Sequence, residues 1–235
     1  VYYSNNGGIN WNNPAAVKPT ADGFFSLVTS GQTVYAVGSD GVYSCPDRGD
    51  SWKLILGNLP ATNYGGILSM DSGGNLWLFN PYNRQAWYTS NPTNASPTWT
   101  LGGNLPYSYY PYAAVAVSPS TLYVSVESLG VFKSTDTGAT WNPVNNGFTA
   151  LQPTDIFSTQ NGRLLVAAGT YGYFYSIDDG VNWSYNNSTG ANMVVNKFLQ
   201  LPGNVILAAG LGVASSGDNG STWTVQSSAN SYQFI

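Results

Sequence analysis

The sequence predicts an all-β propeller built from four-stranded blades, and three observations carry that expectation. A turn motif ending in tryptophan recurs along the whole chain, with Trp11, Trp52, Trp99, Trp141, Trp183 and Trp223 closing successive copies. Their spacings of 41, 47, 42, 42 and 40 residues fit one small supersecondary unit per repeat. Each unit reads as four short β-rich runs parted by turn residues, and no segment keeps a helical period. Blades of this size bury their faces only against neighbouring blades, so the repeats share one core.

The elements follow in order within each repeat. A first strand opens it, as in Phe24 to Thr29 or Val115 to Ser118. A turn such as Ser30-Gly31, Asn161-Gly162 or Pro202-Gly203 leads into a second strand, as in Thr33 to Val37 or Arg163 to Val166. A glycine and an apolar pair begin the third strand, as in Gly130-Val131-Phe132 or Gly172-Tyr173-Phe174. The tryptophan-ended turn then leads to the fourth. Five blades are expected at 23–57, 64–102, 111–146, 154–188 and 193–227 of a single propeller. Segment 1–13 supplies two last strands and 232–235 a first strand. A sixth blade closed from both termini is therefore expected, or seven blades if the chain is a fragment. That closing blade lacks one strand: the ring tolerates the gap, another chain supplies the strand by strand addition, or the sequence is cut from a longer one. The chain opens on Val1 with no signal sequence in view, which reads as a mature product, an excised domain or a fragment.

The motif runs Ser134 to Trp141 as STDTGATW, Ser176 to Trp183 as SIDDGVNW and Ser216 to Trp223 as SGDNGSTW. It resembles the Asp-box, or BNR repeat, of the sialidase, xyloglucanase and sortilin-like propellers. Asp136, Asp178 and Asp218 hold the acidic position, and Asp47 holds it in a copy with one inserted residue. Asn6 replaces it in the first copy, and the copy at 90–99 has lost it. The resemblance implies that the box joins the third and fourth strands of a blade. A short acidic side chain there accepts backbone N–H bonds, glycine permits positive φ, and tryptophan packs beneath the turn. The box aspartates are thus read as structural rather than catalytic or metal-binding.

Composition narrows the function. Only 8% of residues are charged, the net charge is −4 and there are seven Lys and Arg, with no basic run. Charge-driven binding to nucleic acid or an anionic membrane is not expected. There is no histidine, which removes His-based acid–base chemistry and His-ligated metals. No metal or cofactor is expected. Cys45 is the single cysteine, so no intrachain disulfide forms, and it reads as a packed or turn residue. No apolar stretch is long enough to span a membrane.

Propeller topology places the interblade links and the loops between second and third strands on the face opposite the boxes. Asp22, Asp40, Tyr82, Arg84, Glu127, Asp155 and Tyr171 fall there, with Tyr107, Tyr109, Tyr110 and Tyr112 on one link. The tyrosines Tyr107, Tyr109, Tyr110, Tyr112 and Tyr171, with Arg84, are the ligand-binding candidates, since Tyr on loops stacks against sugar rings. The same tyrosines also suit blade packing or self-association. Asp22, Asp40, Glu127 and Asp155 are the carboxylates from which a glycoside hydrolase pair would be drawn. Sialidase chemistry is not expected: the resemblance would imply an arginine triad and an Arg-Ile-Pro motif, and only Arg48, Arg84 and Arg163 are present. Sequons occur at Asn94, Asn182, Asn186, Asn187 and Asn219, with Asn186 and Asn187 the favoured glycosylation sites.

The expected function is a secreted, non-catalytic binding or scaffold propeller at the cell surface or outside the cell, with a glycan or another protein as partner. A xyloglucanase-like glycoside hydrolase fragment is the first alternative. A self-assembling extracellular structural protein is the second, because so little charge guards against association.

Overall fold

The computed structural model describes residues 1–235 except 1, 5, 7–8, 14–18, 22, 61–64, 107–110, 151, 171, 187–193 and 229–235. Among the described residues the chain forms twenty strands in five four-stranded antiparallel sheets, each a meander in sequence order. This is an all-β propeller of four-stranded blades.

The chain divides into two compact units. Unit 1 holds residues 1–108, 116–121 and 135–140, and unit 2 holds 109–115, 122–134 and 141–235. Unit 1 contains β1 (Phe24–Ser30), β2 (Thr33–Gly38), β3 (Gly41–Cys45) and β4 (Lys53–Leu54) as blade 1. Blade 2 in the same unit is β5 (Ile67–Met70), β6 (Leu76–Asn80), β7 (Gln85–Thr89) and β8 (Thr100–Asn104). Blade 3 comprises β9 (Pro111–Ala116), β10 (Leu122–Val126), β11 (Gly130–Ser134) and β12 (Asn142–Pro143), all in unit 2 apart from Ala116. Blade 4 of unit 2 is β13 (Asp155–Ser158), β14 (Leu164–Ala167), β15 (Tyr173–Ser176) and β16 (Ser184–Asn186). Blade 5 is β17 (Val195–Gln200), β18 (Ile206–Gly210), β19 (Gly212–Ser216) and β20 (Thr224–Ser228).

The second strands read as nearly continuous apolar runs because both faces are covered. Every residue of β6, β10 and β14 is buried. In unit 1, Tyr35, Val37, Val42, Leu76, Leu78 and Trp99 share one cluster, while Ala36, Tyr43, Cys45 and Trp52 pack on the opposite face of blade 1. In unit 2, Leu165, Tyr173, Phe198, Ile206, Ala208 and Ala214 form the corresponding cluster. The outermost strands β4 and β12 have two residues each, all exposed, so a blade's outer edge is short.

The expectation of six or seven blades is corrected to five. Among the described residues, segment 1–13 makes no blade strands: its pairing is an isolated bridge, with Tyr3 and Asn12 exchanging N–H···O bonds of 2.9 and 2.8 Å. One bridge with no third strand lacks the partners a sheet needs to stand. The hairpin instead lies on blade 1, where a β-carbon on Gly49 would sit 2.6 Å from Tyr3 Cβ. The expected closing strand at 232–235 lies outside the described residues.

Candidate functional site

Four of the chain's eleven acidic residues serve as acceptors in the tryptophan-ended turns. In blade 4, Asp178 Oδ1 accepts from Ser176 Oγ at 2.8 Å and Asn182 N at 2.9 Å, and Oδ2 accepts from Asn182 Nδ2 at 2.7 Å. In blade 5, Asp218 accepts from Ser216 Oγ, Ser221 N, Thr222 N and Thr222 Oγ1 over 2.6–3.0 Å. Asp136 accepts from Thr140 N and Oγ1 at 2.8 and 2.6 Å. Asp47 accepts from Cys45 Sγ at 2.8 Å and from the amides of Asp50 and Ser51. Carboxylates bonded this way favour ionisation. The Cys45 and Ser51 bonds hold Asp47 well below the usual range, and the Asn182 amide and side chain lower Asp178. At Asp218 burial works upward, but the bonds from Thr222, Ser216 and Ser221 outweigh it and leave the carboxyl at about 2.

Two amides do the same work. Asn6 Oδ1 accepts from Ser4 Oγ at 2.9 Å and Asn10 N at 2.9 Å. Asn91 Oδ1 accepts from Thr89 Oγ1 at 2.6 Å and Thr98 N at 3.3 Å. The copy read as having lost its acidic position therefore keeps the turn, with Thr89 and Asn91 in the Ser and Asp places. Spacing hid it, because six residues rather than three separate Asn91 from Thr98.

The tryptophans tie turns to the preceding blade. Asn58 of blade 1 brackets Trp99, accepting from its N–H at 2.6 Å and donating to its carbonyl at 3.0 Å. Trp183 donates Nε1–H to Val144 O at 2.7 Å. Trp223 donates to Tyr173 OH at 3.0 Å, and Tyr173, pushed up to about 12 mainly by burial, donates to Gly220 O. Trp52 is buried over its own turn, with Nε1–H on Gly49 O. Trp141 is half-buried. Trp11, on the isolated hairpin, is 63% exposed. Cys45 stands where the copies at Ser4, Ser134, Ser176 and Ser216 have serine, and burial pushes its thiol up.

The carboxylate candidates are placed separately. Asp22 lies outside the described residues. In unit 1, Asp40 follows β2 and its Oδ2 accepts from Thr20 Oγ1 and Tyr43 OH, both at 2.6 Å. Burial works to raise Asp40, but those two bonds prevail and lower it. In unit 2, Glu127 follows β10 and accepts from Tyr112 OH, a half-exposed side chain. Asp155, also in unit 2, is buried on β13. Its Oδ1 meets Lys197 Nζ at 2.8 Å and its Oδ2 accepts from Phe198 N at 2.8 Å. Burial raises its carboxyl, outweighing the lowering by Lys197. The pair fastens β13 to β17 within unit 2. A fifth acid, Asp71, escaped sequence reasoning. It is buried in the β5–β6 turn, bonded to Gly73 N, Asn75 and Trp77 Nε1. Among the described residues, no three His, Cys, Asp or Glu side chains converge as for a metal ion.

Of the ligand candidates, Tyr107, Tyr109, Tyr110 and Tyr171 lie outside the described residues. Arg84 ends the β6–β7 turn of unit 1 with φ 56°. Among the sequons, Asn186 is half-buried in β16 opposite Tyr173, and Asn187 lies outside the described residues. Asn182 is held by its bonds to Asp178 and Asn146.

Unit 2 also contains a cleft of about 960 Å³ at the loop end of blades 3 to 5. Phe174 and Tyr185, with ring centroids 5.4 Å apart, line it together with Ala168. Gln152, Thr154 and Asn196 supply polar groups. The Thr154 hydroxyl is buried without a hydrogen-bond partner among the described residues. Asn196 enters through a bulge: Val195 pairs with Gly210 and Lys197 with Ala209, so Asn196 has no partner across the ladder. Bulges re-aim side chains in this way. No described residue lining the cleft is charged. Sequence reasoning missed the cleft because its residues come from separate loops and strands with no common motif.

No family model and no curated protein matches the chain. Solved structures do. A YCF48 protein bound to D1 peptide aligns over 90% of this chain and 71% of its own, at 15% identity and TM-score 0.61. A streptogramin B lyase aligns over 92% and 72%, at 11% identity and TM-score 0.65. The GH74 xyloglucanase from Xanthomonas campestris aligns over 92% of this chain at 16% identity and TM-score 0.61, with this chain spanning 33% of the enzyme. Likeness at these identities shows the propeller fold.

Proposed function

We propose that the chain is a non-catalytic binding propeller of the Asp-box type, which takes a neutral carbohydrate in the unit 2 cleft. The observation that carries this reading is the cleft's chemistry: an aromatic wall, amide and hydroxyl groups at its polar positions, and no charged lining side chain. An aromatic face covers the C–H face of a sugar ring, and amides and hydroxyls satisfy its hydroxyls. A charged sugar would lose hydration there without gaining a counter-charge. The location that accompanies this reading is extracellular or the cell surface, where sugar polymers are met.

The hydrolase alternative draws less support. Asp155 has both oxygens engaged inside unit 2, and Asp47, Asp136, Asp178 and Asp218 are held by their own turns. A glycan array probed with the full chain is expected to show neutral oligosaccharides bound and sialylated or uronate ones not bound. Tyr185→Ala is expected to weaken the binding about tenfold, the scale of one aromatic contact. Turnover of a bound polysaccharide would sink the proposal.

A further inference from the structure

Unit 1 carries its own bulged first strand. Phe24 pairs with Gly38 and Ser26 with Val37, so Phe25 has no partner across the ladder and is 55% exposed. Ser26 Oγ accepts the Leu68 amide at 3.1 Å, which ties the strand to β5 beside it. Tyr82, in the turn after β6, is 51% exposed. Its backbone is fixed from below: buried Asn80 Oδ1 accepts from the amides of Tyr82 at 2.9 Å and Asn83 at 3.4 Å, and Asn83 Oδ1 accepts from Gln85 N at 3.1 Å. Gly65 lies against both rings. A β-carbon built there would be 2.6 Å from Tyr82 Cε2 and 3.2 Å from Phe25 Cε2. Glycine thus lets two half-exposed aromatic edges come together over bare backbone.

From this geometry we infer that Phe25, Gly65 and Tyr82 form a second ligand-binding site, an aromatic platform in unit 1 that stacks a neutral pyranose ring. Large apolar side chains exposed side by side, on a rigid bulge and a rigid turn, lose little conformational freedom on binding. Isolated exposed aromatics would need no explanation; a paired set over a glycine does. The amide oxygens of Asn83 and Gln85 accept from Gln85 N and Trp87 Nε1, so the platform would hold a sugar by apolar contact with its C–H face. The inference rests on the carbohydrate reading only for its choice of sugar.

The test is an amide-resolved NMR titration of the full chain with cellohexaose and, separately, with a proline-rich decapeptide. The Gly65 amide reports the platform and the Gly169 amide reports the cleft of unit 2. Cellohexaose is expected to shift Gly65, and Phe25→Ala or Tyr82→Ala to reduce affinity at this probe at least fivefold with the Gly169 response unchanged. Gly65→Ala, which inserts a methyl between the rings, is expected to act like the two ring deletions. Both rings are half exposed, so the variants keep the dispersed spectrum of the folded chain. Shifts at Gly169 with none at Gly65 overturn the platform and leave the cleft reading standing. Shifts at Gly65 with none at Gly169 support the platform and remove the cleft. A Gly65 response to the peptide alone overturns the sugar assignment.

Discussion

The tryptophan-ended turns and the loop end of unit 2 handle polarity in opposite ways. At the turn end, Asp47, Asp136, Asp178 and Asp218 accept two or more bonds from within their own turns. At the loop end of unit 2, the described groups lining the cleft include neutral amides, hydroxyls and rings, and one buried hydroxyl, on Thr154, has no partner among the described residues. The contrast teaches that these carboxylates hold turns closed, while the described groups lining the cleft are uncharged.

The sharpest way to break the contrast is to remove the turn end's anchor. Trp99→Ala is expected to cost about 3–5 kcal/mol, because a buried ring that also braces Asn58 leaves a cavity the blade cannot close. Urea unfolding measures it, and a loss under about 1 kcal/mol would show the tryptophans to be ornamental. Next is the ion pair of unit 2. Lys197→Met leaves the Asp155 carboxylate buried without its cation. About 2 kcal/mol is expected at pH 7, less than for a wholly buried pair because Lys197 faces solvent. The folded Asp155 carboxyl is already raised, so its ionised form weighs against folding as pH rises. The variant's deficit therefore shrinks as pH falls below the raised carboxyl, and a deficit that grows in acid would contradict the assignment.

The box carboxylates carry the opposite sign. Asp218 is lowered to about 2, so the stability it contributes is present above its unfolded value of 3.8 and is lost as pH falls towards 2. Asp218→Asn is expected to cost about 1 kcal/mol at pH 7 after solvent screening, and to flatten the acid limb of thermal unfolding. An unchanged acid limb would detach the turn from acid stability. At the loop end, Asn196→Ala is expected to weaken sugar binding about fivefold with under about 1 kcal/mol lost in stability. The smallest effects belong to Asp40→Asn and Glu127→Gln, which are expected to leave binding unchanged within about twofold.

Much of the scaffold was legible in the sequence, for a physical reason. Three turns share the same acceptor, the same glycine and the same tryptophan, so Asp136, Asp178 and Asp218 announce themselves by repetition. The first copy misled because Asn6 and Trp11 preserve the turn while, among the described residues, segment 1–13 has one isolated bridge and not the strand partners that make a blade. Asn91 was missed because an amide does an aspartate's work across a longer loop. The loop end was barely legible. Asp155 looked like a free carboxylate until folding placed Lys197 against it. Phe25 and Asn196 owe their positions to bulges, which depend on ladder register and leave no mark in composition.

Calorimetric titration of the full chain with cellohexaose, at roughly 0.02 and 0.5 M salt, tests the central claim most directly. A neutral binding surface without catalytic carboxylates predicts the same affinity at both salt concentrations and an intact hexasaccharide at the end. Affinity that collapses with salt, or shortened sugar in the recovered cell, would contradict it.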